Sequence, residues 1–277
     1  MKKHPTSNIQ HPTPKLANDG RALDVERSML DVGCFPIPQN WLVLNSGAGD
    51  AAFNMALDEA LLEAMPRLQK PVLRFYGWTE PAATFGYFQK ISEVDRATHL
   101  RPLIRRPTGG GIVPHEADWT YSVVFPPGHE WHLLKAEESY RRIHDWLRLA
   151  FAELKIETEL APCCRKAESG KPKAKIPSAC FIGYEKSDLL WRGKKIAGAA
   201  QRRNKLGLLI QGSVQPPPIS LARTDWENAM GEVARTPFHV AWSKFTPDAG
   251  LATRADELTR LKYSQNGYNQ KRWREPK

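Results

Sequence analysis

The chain contains 277 residues, of which 40 are lysine or arginine and 30 are aspartate or glutamate, so its formal net charge is +10. Apolar residues make up 41% and charged residues 25%, a balance that supports a packed core and excludes global disorder. No apolar run reaches the roughly 18–20 residues that cross a bilayer. No apolar segment follows the basic N-terminus, and four cysteines are too few for a disulfide framework. We therefore expect a cytoplasmic protein with free thiols, no signal peptide and no membrane contact.

The order of the predicted elements favours an α+β fold. Residues 1–38 are rich in proline, which predicts a mobile extension with a short helix near residues 22–30. Strands are expected at Trp41–Asn45, Val72–Tyr76, Ala82–Gly86, Pro102–Arg105 and Thr120–Phe125, followed by an antiparallel meander of Leu189–Trp191, Lys195–Arg202 and Leu208–Val214. Helices are expected from Asp50, as N-cap, to Met65, and at Lys135–Leu154, Asp225–Ala234 and Ala255–Tyr263. Strands and helices do not alternate regularly, which argues against a doubly wound sheet.

The positive charge is concentrated in one segment. Residues 165–205 contain twelve basic and three acidic residues, which is nearly the whole excess of the chain. The segment is either a solvated loop and hairpin or a docking patch for nucleic acid, a phosphorylated ligand or an acidic protein. Composition alone leaves these alternatives open.

Three stretches contain residues suited to chemistry at a site. Arg105-Arg106-Pro107-Thr108-Gly109-Gly110-Gly111-Ile112-Val113-Pro114-His115 allows a ligand to approach the backbone, and its arginines could hold a carboxylate or phosphate or pair with internal acids; the alternative is a flexible turn. Cys180 follows a basic loop that would favour a thiolate, although a lone cysteine is often a small buried residue. Lys195, among glycine and alanine, could point into a narrow cavity or stand exposed on a hairpin.

Other candidate sites are weaker. Asn54 and Asp58 share a helix face, which is ordinarily an exposed polar face. Cys163 and Cys164 lack the spacing of a zinc site, so no metal is expected.

Taken in order, several motifs resemble the lipoate–protein ligase A/B and biotin ligase superfamily, and most closely its cysteine-dependent octanoyltransferase branch. The resemblance runs from about Trp41 to Val214. It rests on Phe53-Asn54-Met55-Ala56-Leu57-Asp58-Glu59-Ala60-Leu61, Leu73-Arg74-Phe75-Tyr76-Gly77-Trp78, Phe85-Gly86-Tyr87-Phe88-Gln89, the Arg-Arg-Pro-Thr-Gly-Gly-Gly element with His115, Thr120-Tyr121-Ser122-Val123, Ser178-Ala179-Cys180-Phe181, Lys194-Lys195-Ile196-Ala197-Gly198-Ala199-Ala200-Gln201 and Gln211-Gly212-Ser213.

The resemblance implies an α+β domain with a mixed, mainly antiparallel sheet flanked by helices, which holds a medium-chain acyl group in a tunnel. It implies that Cys180 takes octanoyl from acyl carrier protein as a thioester and passes it to a lysine of a lipoyl domain or the glycine cleavage H protein. Lys195 would contact the acyl carbonyl or the thiolate. Candidate substrate-binding residues are Arg105, Arg106, Gly109, Gly110, Gly111, His115, Gly198 and Gln211. No cofactor is implied, because a thioester is already activated.

Two departures from the family pattern are Gln211, where the family usually has histidine, and the prolines at 107 and 114 that would stiffen the glycine loop. We divide the chain into a 1–38 extension, a 39–235 catalytic domain and a 236–277 helical tail. The alternatives are an ATP-dependent lipoate–protein ligase, which usually needs an accessory C-terminal domain, a lipoyl or octanoyl amidotransferase, and a non-catalytic acyl-binding relative. A nucleic-acid-binding protein is a further class that the charge permits, but no binding signature supports it, so nucleic acid is not expected as a partner.

Overall fold

The computed structural model describes residues 38–162 and 183–271, so the expected helix near residues 22–30 lies outside the described residues. In chain order the strands are β1 (Gln39–Gly49), β2 (Val72–Trp78), β3 (Ala82–Phe85), β4 (Leu103–Arg105), β5 (Val113–His115), β6 (Trp119–Phe125), β7 (Glu159–Leu160), β8 (Leu189–Trp191), β9 (Lys194–Asn204), β10 (Gly207–Val214) and β11 (Val240–Lys244). The helices are α1 (Ala51–Leu68), α2 (Ile91–Ala97), α3 (Glu130–Leu133), α4 (Ala136–Glu153), α5 (Arg223–Ala234), α6 (Ala249–Leu258) and α7 (Asn266–Asn269). A π-helical turn at Thr259–Tyr263 extends α6.

Within these residues, the main sheet has the strand order β11-β1-β2-β6-β10-β9-β8-β7. Strand β1 pairs in parallel with β11 and β2, whereas the other neighbouring pairs are antiparallel. A smaller sheet has the order β4-β3-β5. The predicted α+β fold, with a mixed and mainly antiparallel sheet flanked by helices, is confirmed.

The two long helices form where the sequence predicts them. The carboxylate of Asp50 caps α1 by accepting a hydrogen bond from the Phe53 N–H at 2.8 Å. Helix α1 ends at Leu68, and the C-cap residue Gln69 closes the last turn with a left-handed φ of 51°. Helix α4 buries an apolar stripe with helical spacing, formed by Ile143, Trp146, Leu147, Ala150 and Phe151.

Apolar side chains cover both faces of the main sheet, because successive residues of a strand point to opposite faces. Tyr121, Val123 and Phe125 of β6 belong to the core that contains the buried residues of α4 and α5. Val124, from the same strand, belongs to the core that contains α1 and α6. The face that carries α1 also carries the candidate site.

The segment expected as a C-terminal helical tail contributes a strand to the main sheet. Strand β11 pairs in parallel with β1, with Val240 opposite Gln39, and the following helix α6 packs on α1. A five-residue strand whose partner lies two hundred residues earlier leaves little local signal, which explains why the sequence interpretation placed only a helix here.

None of the helices in the described ranges is both long and apolar enough to cross a membrane.

Candidate active site

A cavity opens on the α1 face of the main sheet, with about 400 Å³ of empty space when its open mouth is included. One wall is formed by Gly198, Ala199 and Ala200 of β9 and by Gln211, Gly212 and Ser213 of β10. The remaining lining residues come from α1, β2, the small sheet with its loop, and β6, and are Met55, Tyr76, Thr84, Arg106, Val113, His115 and Thr120.

The polar side chains at this cavity follow from strand alternation. Neighbouring strands β2, β6 and β10 each place polar residues two apart, and these point to the α1 face: Arg74 and Tyr76, Thr120 and Ser122, and Gln211 and Ser213. The neighbouring residues on each strand, such as Phe75, Tyr121 and Ile210, point the other way and pack in the opposite core. A two-residue period of polar groups on three adjacent strands therefore builds the site.

Asp58 lies behind the cavity lining and is buried. Its carboxylate accepts hydrogen bonds from Arg74 at 2.7 Å, Ser122 at 2.7 Å, Tyr76 at 3.1 Å and Gln211 at 2.7 Å, and the Arg74–Asp58 ion pair is fully buried. Burial, with the Asp58 charge next in size, raises the pKa of Tyr76, which stays a hydrogen-bond donor.

Asn54, four residues before Asp58 on α1, belongs to the same cluster. Its side-chain oxygen accepts from Arg74 at 2.8 Å, and its amide donates to the carbonyls of Gly49 and Gly77. The helix face that would ordinarily be an exposed polar face is therefore completely buried. Pairing with Arg74 makes that burial possible, because a buried charge without a partner would be too costly.

Gln211 connects the glycine loop to this cluster. Its amide donates to Asp58, and its carbonyl oxygen accepts from the Thr108 hydroxyl at 2.7 Å. The glutamine that departs from the family's usual histidine thus lines the cavity with both ends of its amide hydrogen-bonded.

His115 lines the cavity, and its hydrogen bonds determine which ring nitrogen carries the proton. Arg106 can only donate, so the Thr84 hydroxyl accepts from Arg106 at 2.9 Å and donates to His115 Nε2 at 2.8 Å. The Nδ1–H then donates to Asp118 at 2.9 Å, and the ring stacks on Trp78 with centroids 3.7 Å apart. Burial lowers the pKa of His115 although Asp118 opposes the shift, so the imidazole is neutral near pH 7.

Arg106 fixes the glycine loop beside the cavity by donating to the carbonyls of Gly109 and Gly111, both at 2.8 Å. Gly110 has a φ of +87°, and a Cβ there would lie 3.2 Å from the Arg106 guanidinium and 3.5 Å from Ala200. The loop therefore packs against the β9 wall.

Arg105 is placed differently from the expectation that it binds substrate. Its five guanidinium N–H groups donate to the main-chain carbonyls of residues 87, 89, 268, 269 and 271, at distances from 2.6 to 3.3 Å. No donor is left for a ligand, since an arginine has only five. The structure corrects this expectation: Arg105 joins the glycine loop to the C-terminal segment, and Arg106 is the arginine that lines the cavity.

Lys195 is buried against Asp188 beside the cavity wall. Its Nζ lies 2.7 Å from the Asp188 carboxylate, with 5% of the lysine side chain and none of the aspartate side chain exposed. A Cβ added to Gly198 would lie 3.0 Å from Nζ, so Gly198 provides the space that the lysine occupies. Lys195 is therefore not an exposed hairpin lysine. Cys180, its expected partner in chemistry, lies outside the described residues.

The hairpin before β9 explains how Lys195 and Asp188 meet. Arg192 and Gly193 form the predicted turn with φ of 49° and 72°, the left-handed values that a two-residue hairpin requires. Lys195 pairs with Leu190, and the register shifts between Leu189 and Leu190, so a bulge lies beside Asp188. Bulges redirect side chains at sites of this kind.

Several cations of the basic segment have internal partners. Lys186 pairs with Glu137 at 2.7 Å, Arg202 with Glu59 at 3.3 Å, and Arg203 donates to the carbonyls of Trp131 and His132. The described part of the segment is therefore partly structural rather than wholly a docking patch.

The arrangement suits a mainly apolar ligand with one reacting polar end. The hydroxyls, amide and imidazole that line the cavity hydrogen-bond to one another or to Asp58, Thr108 and Asp118 behind them, so an acyl chain could enter without taking their partners. Lys195 adds a positive charge at the β9 wall, where a carbonyl or thiolate could be stabilised. The described residues contain no cluster of His, Cys, Asp or Glu side chains that could hold a metal ion.

Comparison with known proteins agrees with this geometry. The family "Lipoyl protein ligase A/B catalytic domain" matches residues 50–215. Relatives named octanoyltransferase LipM are 39% identical over 183 residues in Kyrpidia tusciae, 36% over 181 in Staphylococcus aureus and 38% over 183 in Bacillus subtilis. Each alignment covers 64% of this chain and 65–66% of the relative, so the match spans just under two thirds of these proteins.

Solved structures show the same fold. Lipoate-protein ligase A bound with ATP superimposes with a TM-score of 0.67 at 21% identity, covering 86% of this chain and all of that one. A bi-partite lipoate protein ligase from Thermoplasma acidophilum gives a TM-score of 0.65 at 20% identity, covering 86% and 99%. The fold is therefore the one that these lipoate protein ligases share. The chain belongs to the lipoyl protein ligase A/B family, as its motifs predicted.

Two site residues, Asp118 and Asp188, were missed by the sequence interpretation. Each follows a turn, and each accepts several hydrogen bonds within the site. A signal was present, because both are acidic residues directly before an apolar strand, but such residues are common in turns.

Proposed function

We propose that this protein is an octanoyltransferase that moves an octanoyl group from acyl carrier protein to a lysine of a lipoyl domain or the glycine cleavage H protein, in the cytoplasm. The observation that carries the proposal is a buried Lys195 ammonium at the wall of a cavity whose polar lining is internally hydrogen-bonded. Relatives with the same proposed activity, at 34–39% identity, support it.

In the proposed reaction, the Cys180 thiolate attacks the carbonyl of the donor thioester. A new C–S bond forms, the donor C–S bond breaks, and the departing thiolate takes a proton from Lys195. The neutral amine of the acceptor lysine then attacks the acyl-cysteine. A C–N bond forms, the C–S bond breaks, and Lys195 takes the proton that the amine loses, so the thiolate and the ammonium are regenerated. No nucleotide or metal is consumed, because the thioester supplies the activation.

The positions of these residues in and beside the cavity support the proposed substrate-binding roles. Arg106 and Gly109–Gly111 shape one side, while His115, Gly198 and Gln211 line the space for the acyl chain. His115 is neutral and both ends of the Gln211 amide are hydrogen-bonded, so neither residue places a charge beside the chain.

Intact-mass spectrometry after incubation with octanoyl-acyl carrier protein tests the proposal. We expect an octanoyl adduct on Cys180 that hydroxylamine removes, that Cys180→Ser lacks, and that disappears when an apo lipoyl domain is added. No adduct, together with lipoylation that requires ATP, would falsify the transferase and favour a ligase.

A further inference from the structure

We propose that Asp188 is the residue that positions Lys195 for acyl transfer, and that Tyr140 holds Asp188 in place. This inference rests on the proposed function, since it names a further residue for the same reaction. Neither Asp188 nor Lys195 is among the residues that line the cavity, but the Lys195 amine lies beside Gly198, which does, so Asp188 would act only through the lysine.

Both oxygens of the Asp188 carboxylate are held from outside the cavity. One oxygen accepts hydrogen bonds from Lys195 Nζ and from the main-chain N–H of Glu185, each at 2.7 Å. The other oxygen accepts a hydrogen bond from the hydroxyl of Tyr140, which lies on α4. The main-chain N–H of Asp188 also donates to the Glu185 carbonyl at 3.1 Å, which closes a turn around the carboxylate. A carboxylate anchored in this way has one orientation to offer the lysine.

The lysine side chain depends on this anchor because it is almost fully buried. Moving an ammonium group out of water is costly unless a counter-ion and hydrogen bonds replace the water. Asp188 supplies the counter-ion, and Gly198 leaves the space beside it: a Cβ there would lie 2.9 Å from Lys195 Cε. Since Gly198 also lines the cavity, the pair holds the ammonium at the cavity wall.

The matched control is the Lys186–Glu137 ion pair, which lies beside the same turn and does not involve Lys195. Lys186 pairs with Glu137 at 2.7 Å, with both side chains more than half exposed. Glu137→Gln therefore removes a carboxylate from α4 close to Tyr140 without touching the Asp188–Lys195 pair.

Steady-state kinetics provide the first test. Asp188→Asn should lower kcat by at least about tenfold and leave the KM for octanoyl-acyl carrier protein within about twofold, since misplacing a catalytic group acts mainly on the chemical step. Tyr140→Phe should lower kcat by less than Asp188→Asn does, and Glu137→Gln should keep the wild-type kcat.

Chemical rescue provides a second kinetic test. In Lys195→Ala, added methylammonium should restore part of the activity, and the double variant Asp188→Asn/Lys195→Ala should lose this rescue. Wild-type kcat in Asp188→Asn, or rescue that does not need Asp188, would overturn the proposal.

Labelling of lysines with acetic anhydride, followed by peptide mass spectrometry, tests the pair without acyl transfer. We expect Lys195 to react at least about tenfold more slowly than its exposed neighbour Lys194, and Asp188→Asn to remove most of that difference while the Lys194 rate stays constant. Equal protection of Lys195 in both proteins would contradict the inference. If the wild type carries no octanoyl adduct but its Lys195 loses protection in Asp188→Asn, the proposed function fails, and Asp188 holds Lys195 in place for a purpose other than acyl transfer.

Discussion

At the scale of single residues, burial decides the protonation of the two histidines nearest to the site. His115 and His144 are both buried, and burial lowers the pKa of each. His144 donates through Nδ1 to the Tyr140 carbonyl at 2.9 Å, and its pKa falls to about 4. A neutral imidazole beneath Tyr140 adds no charge next to the Asp188–Lys195 pair.

The pH dependence of stability should report the burial of His144. Its folded-state pKa is below its unfolded value of about 6.5, so the unfolded chain binds the proton more strongly and stability falls as the pH drops below that value. The contribution is about 2 kcal/mol between pH 7.5 and pH 5. Urea unfolding at the two pH values should show His144→Asn losing that much of the pH dependence.

The exposed His99 offers the control for this experiment, because His99→Asn removes an imidazole that is not buried. A His144→Asn protein with the pH dependence of the wild type would show that His144 is not buried in the neutral form.

Lys195 itself should be needed for the chemical step. Lys195→Ala removes the positive charge at the cavity wall, and we expect kcat for octanoyl transfer to fall by at least about 10²-fold. Lys194→Ala, one residue earlier and exposed, should retain the wild-type kcat. Equal effects of the two substitutions on kcat would show that Lys195 acts only as a surface charge.

At the scale of elements, strands β9 and β10 use glycine for two different purposes. Gly198 makes room for the end of a flexible lysine, whereas a Cβ at Gly212 would lie only 2.1 Å from the buried ring of Tyr121. The first glycine serves the site, and the second serves the packing between β10 and β6.

Alanine substitutions should separate these purposes. Gly198→Ala should displace the lysine amine and lower kcat by at least about tenfold, with little change in the free energy of unfolding. Gly212→Ala should lower the free energy of unfolding by about 1–3 kcal/mol, because the Tyr121 ring must move within a packed core. Urea unfolding and transfer assays on both variants check this. A Gly198→Ala protein that is destabilised yet fully active would contradict the assignment.

At the scale of the whole molecule, the net charge of +10 should favour acidic partners. Part of the charge is used internally, as in the Arg202–Glu59 and Lys186–Glu137 pairs, but exposed cations such as Lys194 and Lys205 remain on the β9 hairpins.

The salt dependence of transfer should reveal this steering. Raising the ionic strength from about 0.01 M to about 0.15 M should lower kcat/KM for octanoyl-acyl carrier protein by about tenfold, because screening weakens long-range attraction. The uncharged donor octanoyl-pantetheine should be nearly unaffected and serves as the control. Equal salt effects on both donors would remove charge steering from the proposal.

The sequence by itself determined the family, the fold class and the local elements of this protein. The cap at Asp50, the stripe on α4 and the turn at Arg192-Gly193 depend on residues close together in the chain, so their patterns predict them directly. The ordered motifs also selected Lys195, His115, Gly198 and Gln211, which lie in or beside the cavity.

Only the tertiary structure decided which polar residues act together. Arg105 and Arg106 are adjacent in the chain, yet one is enclosed by main-chain carbonyls and the other lines the cavity. Asp58 and Gln211 meet across about 150 residues, and β11 pairs with β1 across about 200. Such contacts depend on how strands and helices are placed in space. A sequence pattern shows which face of an element is apolar or polar, but not which residues of other elements that face contacts.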